Sequence, residues 1–336
     1  MTAHHSSPPT ILCARHVKEA ALATGFAACG IAPAAPLSAE RAEERAEMLQ
    51  RGHHAGMEWL ERHEDLRRDP RLLLPGACTV VSLAWPWPPQ PAAAPPIAAY
   101  ALGADYHVTV KNALRNLASR FCGNDETSVR CLVDTAPVDE RYWAWRAGVG
   151  FIGRSGMLII PRLGSRFFLG EIITTLPADA YDAPLTPDIA SHTLCGTCRR
   201  CLDACPGKAL TAHGLDARRC LSYLTIEHRG PLPPQTAEWM HATPGTPLFY
   251  GCDRCTEVCP YNAPKTTPDG NDYETSAEAL CRLPKDAAFW KNLTITDYRQ
   301  FFRGTAVKRA KYEGLMRNIH TFYRDDTYDK NNPEDC

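Results

Sequence analysis

The sequence predicts a two-part protein, with a first part of mixed helices and strands and a second part organised round cysteines. Three observations carry this. The chain has 336 residues, and single cores stop growing at about 250–300 residues, beyond which chains divide into domains. Helical and strand patterns alternate along the first 180 positions. Eight of the fifteen cysteines fall between Cys195 and Cys259.

Residues 14–25 (ARHVKEAALATG) have amphipathic helical spacing with a stop at Gly25, and Ser38 is placed to cap a second helix through the charged stretch 39–51. The run at 79–84 (TVVSLA) has the β-branched, apolar character of a buried strand. Residues 86–96 (PWPPQPAAAPP) are expected as a surface loop, because proline removes the backbone donor that a helix or central strand needs. Helical spacing returns at 108–121, with Val108, Leu114, Leu117 and Phe121 as expected core positions. The block from Cys131 to Thr175 predicts a strand at 131–134, a turn at Pro137, a helix at 140–147, a Gly-rich turn, and a hairpin of 157–160 with 167–174. A basic helical tail follows the cysteine block, and the last dozen residues, polar and acidic, are expected to fray.

Hydrophobic residues make up 44% and charged residues 22%, with a formal net charge of −1. That balance permits ordinary packed cores and carries no global nucleic-acid signature, so any polyanion site must come from a local patch. The first ten residues (MTAHHSSPPT) lack the apolar stretch of a secretory signal, and no run approaches a membrane span. A cytoplasmic, reducing setting is expected, where clustered cysteines bind metal more often than they form disulfides. A secreted domain stapled by disulfides is the competing picture.

The first cysteine run is Cys195-x2-Cys198-x2-Cys201-x3-Cys205-Pro206, the bacterial ferredoxin spacing in which three thiolates hold one cluster and the fourth reaches the other. The second run, Cys252-x2-Cys255-x3-Cys259-Pro260, lacks its first ligand, since Phe249 stands there; Cys220, between the runs, fills the vacancy. The swap rule assigns Cys195, Cys198, Cys201 and Cys259 to one [4Fe–4S] cluster and Cys205, Cys220, Cys252 and Cys255 to the other. Zinc is the alternative, since CxxC pairs also build zinc ribbons, but the x2-x2-x3-CP spacing is not a zinc pattern. Cys13, Cys29, Cys78, Cys122, Cys131, Cys281 and Cys336 read as plain core or surface residues.

The blocks VDTAPVDER (133–141), AGVGFIG (147–153) and GSRFFLGEI (164–172) resemble the epoxyqueuosine reductase family, cobalamin and iron–sulfur enzymes of queuosine biosynthesis in tRNA. The likeness continues through GMEWL (56–60), RRDPRLLLPG (67–76), YALGADYH (100–107), LDARRCLSYLTIE (215–227) and YGCDRC (250–255), and covers roughly residues 50–320. It implies an α+β fold, with an N-terminal nitroreductase-like cobalamin-binding domain at 10–180, a ferredoxin-like domain with two [4Fe–4S] clusters at 181–270, a basic helical segment at 271–325 and a polar tail at 326–336. It also implies the activity, reduction of epoxyqueuosine to queuosine at the wobble position of tRNA, with electrons passing through the clusters to cobalamin. Asp134 matches the family's proposed proton donor. Opening an epoxide leaves an alkoxide that needs a proton, and a desolvated carboxyl can hold one near neutral pH. Ser222, Asp253, Asp105, Tyr106 and His107 match positions lining the cobalamin cavity. No Asp-x-His-x-x-Gly motif supplies a lower histidine ligand to cobalt.

Two departures stand out. The family's GlyLysAsn is here Gly153-Arg154-Ser155, and the apolar residue before GluArg is Asp139. The helical-repeat segment of longer members has no counterpart in the matched stretch. Between Arg299 and Arg324 lie seven cations (Arg299, Arg303, Lys308, Arg309, Lys311, Arg317, Arg324) and one acid, Glu313, so seven minus one gives +6 locally. With Tyr298, Tyr312 and Tyr323 interleaved, this segment is the expected tRNA surface, against the plainer reading of a solvated helix face. A monomer working with a low-potential electron donor (flavodoxin, ferredoxin or a reductase) and no membrane is expected. The competing functions are a reductive dehalogenase-like reductase of a small molecule and a simple ferredoxin-type electron carrier.

Overall fold

The computed structural model describes residues 11–87, 91, 94–121, 127–211, 213–241, 248–263, 280–284 and 286–324. Eight strands occur among them: β1 (Ala28–Pro33), β2 (Thr79–Pro86), β3 (Val129–Leu132), β4 (Phe151–Ile152), β5 (Leu158–Ile159), β6 (Phe167–Thr174), β7 (Leu210–Thr211) and β8 (Gly214–Leu215). Four make an antiparallel sheet in the order β1-β2-β6-β3, and the rest form two small ribbons, β4-β5 and β7-β8. Every residue of β2 is buried because both faces are covered. Val81, Leu83 and Trp85 point into one core with the Ala14–Thr24 and Tyr106–Ser119 helices; Val80 and Ala84 point into a second with the Glu140–Arg146 helix. That second layer lies close. A Cβ on Gly30 of β1 would sit 2.0 Å from the Ala147 carbonyl oxygen.

The first helix runs Ala14–Thr24 and stops at Gly25, whose φ of 106° is the left-handed C-cap geometry that glycine favours. Ser38 accepts the Arg41 N–H and caps Ala39–Gln50. Elsewhere the structure departs from the sequence pattern. Val108 is 58% exposed and Val110 is the buried residue, because the helix starts at Tyr106 and its apolar stripe is rotated accordingly. The strand expected at 131–134 lies at Val129–Leu132, which leaves Asp134 in the following loop at a φ of 43°. The 157–160/167–174 hairpin does not form. Leu158–Ile159 pairs instead with Phe151–Ile152, and β6 is inserted between β2 and β3. The Pro-rich stretch is only partly a surface feature, since Pro86 ends β2 and Trp87 and Ala94 are buried; its residues 88–90 and 92–93 lie outside the described set, as do Cys122, Cys336 and the acidic tail.

The C-terminal elements close onto the first core, where Trp290, Phe249 and Phe302 are fully buried. Among the described residues no helix is long and apolar enough to cross a membrane.

Asp139 explains its own departure from the family pattern. It caps the Glu140–Arg146 helix and is buried, with Arg41 Nε at 2.8 Å and Arg45 Nη1 at 3.6 Å. Burial opposes the charge, and the two guanidinium groups outweigh it, holding the carboxyl below the usual range. Asp139→Ala should therefore destabilise the fold by about 3 kcal/mol, the low end for breaking a buried pair, because Arg41 and Arg45 keep Glu44 and Glu64 as second partners. Denaturant unfolding of the cluster-free protein measures this, and a loss under about 1 kcal/mol, typical of exposed pairs, would show the network to be solvent-screened.

Candidate active site and metal centres

The cysteines sit at the ends of short turns and helices that hold them in place. Cys195 closes the turn Thr193–Cys195, Cys201 lies in the Arg200–Ala204 helix, and Cys259 precedes the turn Pro260–Asn262. Cys201 faces Cys195 and Cys259, and Cys259 faces Cys195 and Cys198. Cys220 faces Cys205, Cys252 faces Cys255 and Cys220, and Cys255 faces Cys220 and Cys205. Two groups of four result, Cys195–Cys198–Cys201–Cys259 and Cys205–Cys220–Cys252–Cys255. Burial raises the Cys255 thiol to about 12 and those of Cys220 and Cys252 as well, so several thiolates there need a countercharge. Among the described residues no three such side chains close round a single metal ion. A [4Fe–4S] cube gives each thiolate its own iron and suits wider spacing. The Gly153-Arg154 turn leans on the first group: a Cβ at Gly153 would lie 3.6 Å from Cys195 Sγ, and Arg154 Nη2 donates to the Gly196 carbonyl at 2.9 Å.

A cavity of about 890 Å³ opens beside the second group. Cys220 and Ser222 form part of one wall, the loop of Asp134 another, and Trp59, Tyr100, Tyr223 and Tyr250 supply broad apolar faces. Arg67 also lines it. This guanidinium is buried, stacks 5.6 Å from the Trp59 ring, and its Nε has no partner. A large, aromatic-walled cavity with a few convergent polar groups suits an organic cofactor.

One chain of hydrogen bonds dominates the wall. Asp105 caps the Tyr106–Ser119 helix and contacts His107 Nδ1 at 2.7 Å; His107 Nε2 lies 2.8 Å from Asp134 Oδ2, which also accepts the Tyr106 hydroxyl at 3.0 Å. Tyr106 is held flat by stacking on Phe168, centroids 4.1 Å apart. Burial opposes an imidazolium, yet the two carboxylates outweigh it and raise His107 to about 9. For Asp134, burial favours the acid form, but His107 and Tyr106 hold the carboxyl below its usual range. At neutral pH the proton rests on His107, with both ring nitrogens donating. Among the protein groups it is thus His107, rather than the carboxyl of Asp134, that carries the proton.

Asp253 stands apart from the other expected contacts. It is buried and absent from the cavity lining; its Oδ2 accepts the Ala99 N–H at 2.7 Å, and burial raises its carboxyl to about 6. In the basic segment Arg299, Arg303, Lys308, Arg309, Lys311 and Arg324 are exposed, whereas Arg317 is buried and donates to the carbonyls of Leu224, His228 and Gly230. Tyr298, Tyr312 and Tyr323 pack onto the core rather than projecting outward. Arg309 lines the cavity and forms a two-pronged pair with Glu227 at 2.7 and 3.0 Å. Sequence reasoning passed over Glu140 and Glu171. Glu171 had a signal, a lone acid inside the apolar strand FFLGEIIT; Glu140 had none beyond its place at a helix start.

A cavity walled by a cluster-type cysteine group and by a carboxylate–imidazole–carboxylate chain defines the class, an iron–sulfur oxidoreductase. Residues 194–262 match the family described as "4Fe-4S double cluster binding domain", and residues 67–135 match "Epoxyqueuosine reductase QueG, DUF1730". The epoxyqueuosine reductase of Leadbetterella byssophila is 37% identical over 91% of this chain and 96% of its own, and that of Gloeobacter violaceus 37% over 92% and 95%. The chain belongs to the epoxyqueuosine reductase family. Its fold matches the Bacillus subtilis enzyme solved with its catalytic loop swung out of the active site (TM-score 0.78, 27% identity, 92% of this chain and 80% of that one). It likewise matches an epoxyqueuosine reductase solved with an epoxyqueuosine-modified tRNA-Tyr stem loop (TM-score 0.77, 27% identity, 92% and 80%).

Proposed function

We propose that this protein reduces epoxyqueuosine to queuosine at the wobble position of tRNA, the last step of queuosine biosynthesis. The observation that carries the reading is the His107–Asp134 couple facing a cavity whose wall also contains Cys220. The family's named activity and the stem-loop complex of a relative support it. A simple electron carrier has no use for such a cavity, and the full-length relatives are epoxyqueuosine reductases rather than reductases of small halogenated molecules.

Removing the epoxide oxygen consumes two electrons and two protons, and the oxygen leaves as water while an alkene remains. The flank of the sheet bearing Tyr106 and His107 is read as the nitroreductase-like cobalamin domain, with Ser222, Asp105 and Tyr106 as contacts; both nitrogens of His107 are engaged by carboxylates, which leaves neither for cobalt. Cobalamin, when bound, would supply the low-potential centre for opening the epoxide, and the two clusters would supply it with electrons from a donor of the flavodoxin, ferredoxin or reductase kind. The protein's own residues manage the proton. Asp134 relays a proton from His107 Nε2, across their 2.8 Å contact, to the alkoxide oxygen, and solvent supplies the second proton. Tyr106, whose hydroxyl burial keeps far from ionising, orients Asp134. The exposed cations around Arg309 take the tRNA backbone at the cavity mouth. A cytoplasmic monomer fits this work.

The substrate is tested by mass spectrometry of tRNA nucleosides from cells lacking the protein: epoxyqueuosine should accumulate, and unchanged queuosine refutes the reading. Cys220→Ser should lower iron from about eight to about four per chain after anaerobic reconstitution, since each cube needs four thiolates. Retention of all the iron would remove Cys220 from the ligand set. Asp134→Asn should keep the cluster and corrin spectra and lose turnover by about 10²–10⁴-fold, the usual worth of a positioned proton donor. Because the His107 imidazolium empties as pH rises through about 9, wild-type turnover should decline there; His107→Gln should be slow and lack that limb, and a wild-type profile flat through the same range speaks against His107 as the reserve. Changing Lys308, Arg309 and Lys311 together to Ala should weaken stem-loop binding and reduce the slope of log affinity against log salt by about 2. Undiminished affinity and slope remove the basic segment from the interface.

A further inference from the structure

The side chain of Asp134 is held by Tyr106 and His107, but its backbone needs a separate hold. A non-glycine residue at a φ of 43° occupies a sparsely populated region, which persists only where the surroundings hold it. The Asp134 main-chain N–H donates to Glu140 Oε1. Glu140 opens the helix Glu140–Arg146, which buries Tyr142, Trp143, Ala144 and Trp145 and whose cap, Asp139, is tied to Arg41 and Arg45. Glu140 therefore couples the loop to a rigid element.

Beneath it lies Glu171. This residue of β6 is fully buried; its Oε1 is 3.4 Å from Ser82 Oγ and its Oε2 has no partner. Register places it opposite Ser82 on the sheet face that packs against the Glu140–Arg146 helix, and Glu140 and Asp139 are the charged groups nearest to it. Among the described residues no cation compensates a carboxylate there, and burial beside Glu140 and Asp139 favours the neutral acid of Glu171. Glu140 in turn faces Asp134, Asp139, Arg141 and Arg67.

We propose that Glu140 is a positioning residue for the reaction: its carboxyl oxygen latches the Asp134 main chain so that Oδ2 stays on His107 and faces the cavity, with the buried Glu171 as the floor beneath the latch. The role rests on the reading of Asp134 as proton donor. No group is transferred through Glu140.

Hydrogen exchange at the Asp134 amide, followed by mass spectrometry with and without reconstituted clusters, reads the latch directly. In Glu140→Ala the amide should exchange faster, and turnover on an epoxyqueuosine stem loop should fall about 10–100-fold in kcat with KM little changed, as for a misplaced catalytic group. Glu140→Gln, whose amide oxygen accepts the same bond, should recover the slow exchange and most of the lost rate. Unaltered exchange in Glu140→Ala overturns the latch. So does a Gln variant that exchanges slowly yet is as inactive as Ala, because the carboxyl would then act in the chemistry itself. Wild-type protein with a protected amide but no turnover on the stem loop sinks the assigned reaction and leaves the latch standing.

Discussion

The insertion of β6 between β2 and β3 is the constraint on which the site depends. Buried strands must pair their backbone groups, and β6 satisfies β2 on one side and β3 on the other. The β3 pairing runs only from Val129 to Leu132, so the chain is released at Val133 and turns Asp134 toward the cavity. The same strand places Glu171 under the Glu140–Arg146 helix and Phe168 under Tyr106, two residues that touch the Asp134 system from opposite sides of the sheet. Sheet pairing and the proton site are therefore one arrangement.

Four carboxyl groups around this sheet meet burial in different ways. Asp139 remains charged because two arginines reach it. Glu171 has no cation and is neutral instead. Asp253 has one backbone donor and is raised to about 6. Asp134 is 48% exposed to the cavity and keeps its charge through His107, which carries the proton in its place. Only the last arrangement leaves a mobile proton next to open space, which is what an alkoxide-forming reaction needs.

Much of this was legible in the sequence. Cysteine spacing carries the cluster chemistry because three thiolates on a short loop can wrap only one cube at a time, and the helix bounds at Gly25 and Ser38 follow from local capping. What stayed hidden depends on contacts distant in the chain. Met157–Ile160 and Phe167–Thr174 both look like strands, yet nothing local says that their partners lie at 151–152 and at 79–86. Val108 is apolar and is the third residue of the helix, and only tertiary packing turns Val110 inward in its place. His107 reads as an ordinary loop histidine until Asp105 and Asp134, 29 positions apart in sequence, close on its two nitrogens.

The two cysteine groups are not equivalent with respect to the cavity. Cys220 lies in its wall, whereas Cys195 and Cys198 are flanked by the exposed residues Leu194, Gly196, Thr197, Arg199 and Arg200. Cys205 comes from the first run and Cys259 from the second, so each group borrows one thiol from the other's stretch of chain, and the Arg200–Ala204 and Arg254–Glu257 helices pack together at that exchange. In the proposed reaction the solvent-facing group would take up electrons and the group at the cavity wall would pass them on. Those two helices join the groups to each other, while His107 and Asp134 line the cavity from a separate helix and the loop after β3. The thiol side and the imidazole side of the cavity are therefore supplied by different elements of the fold.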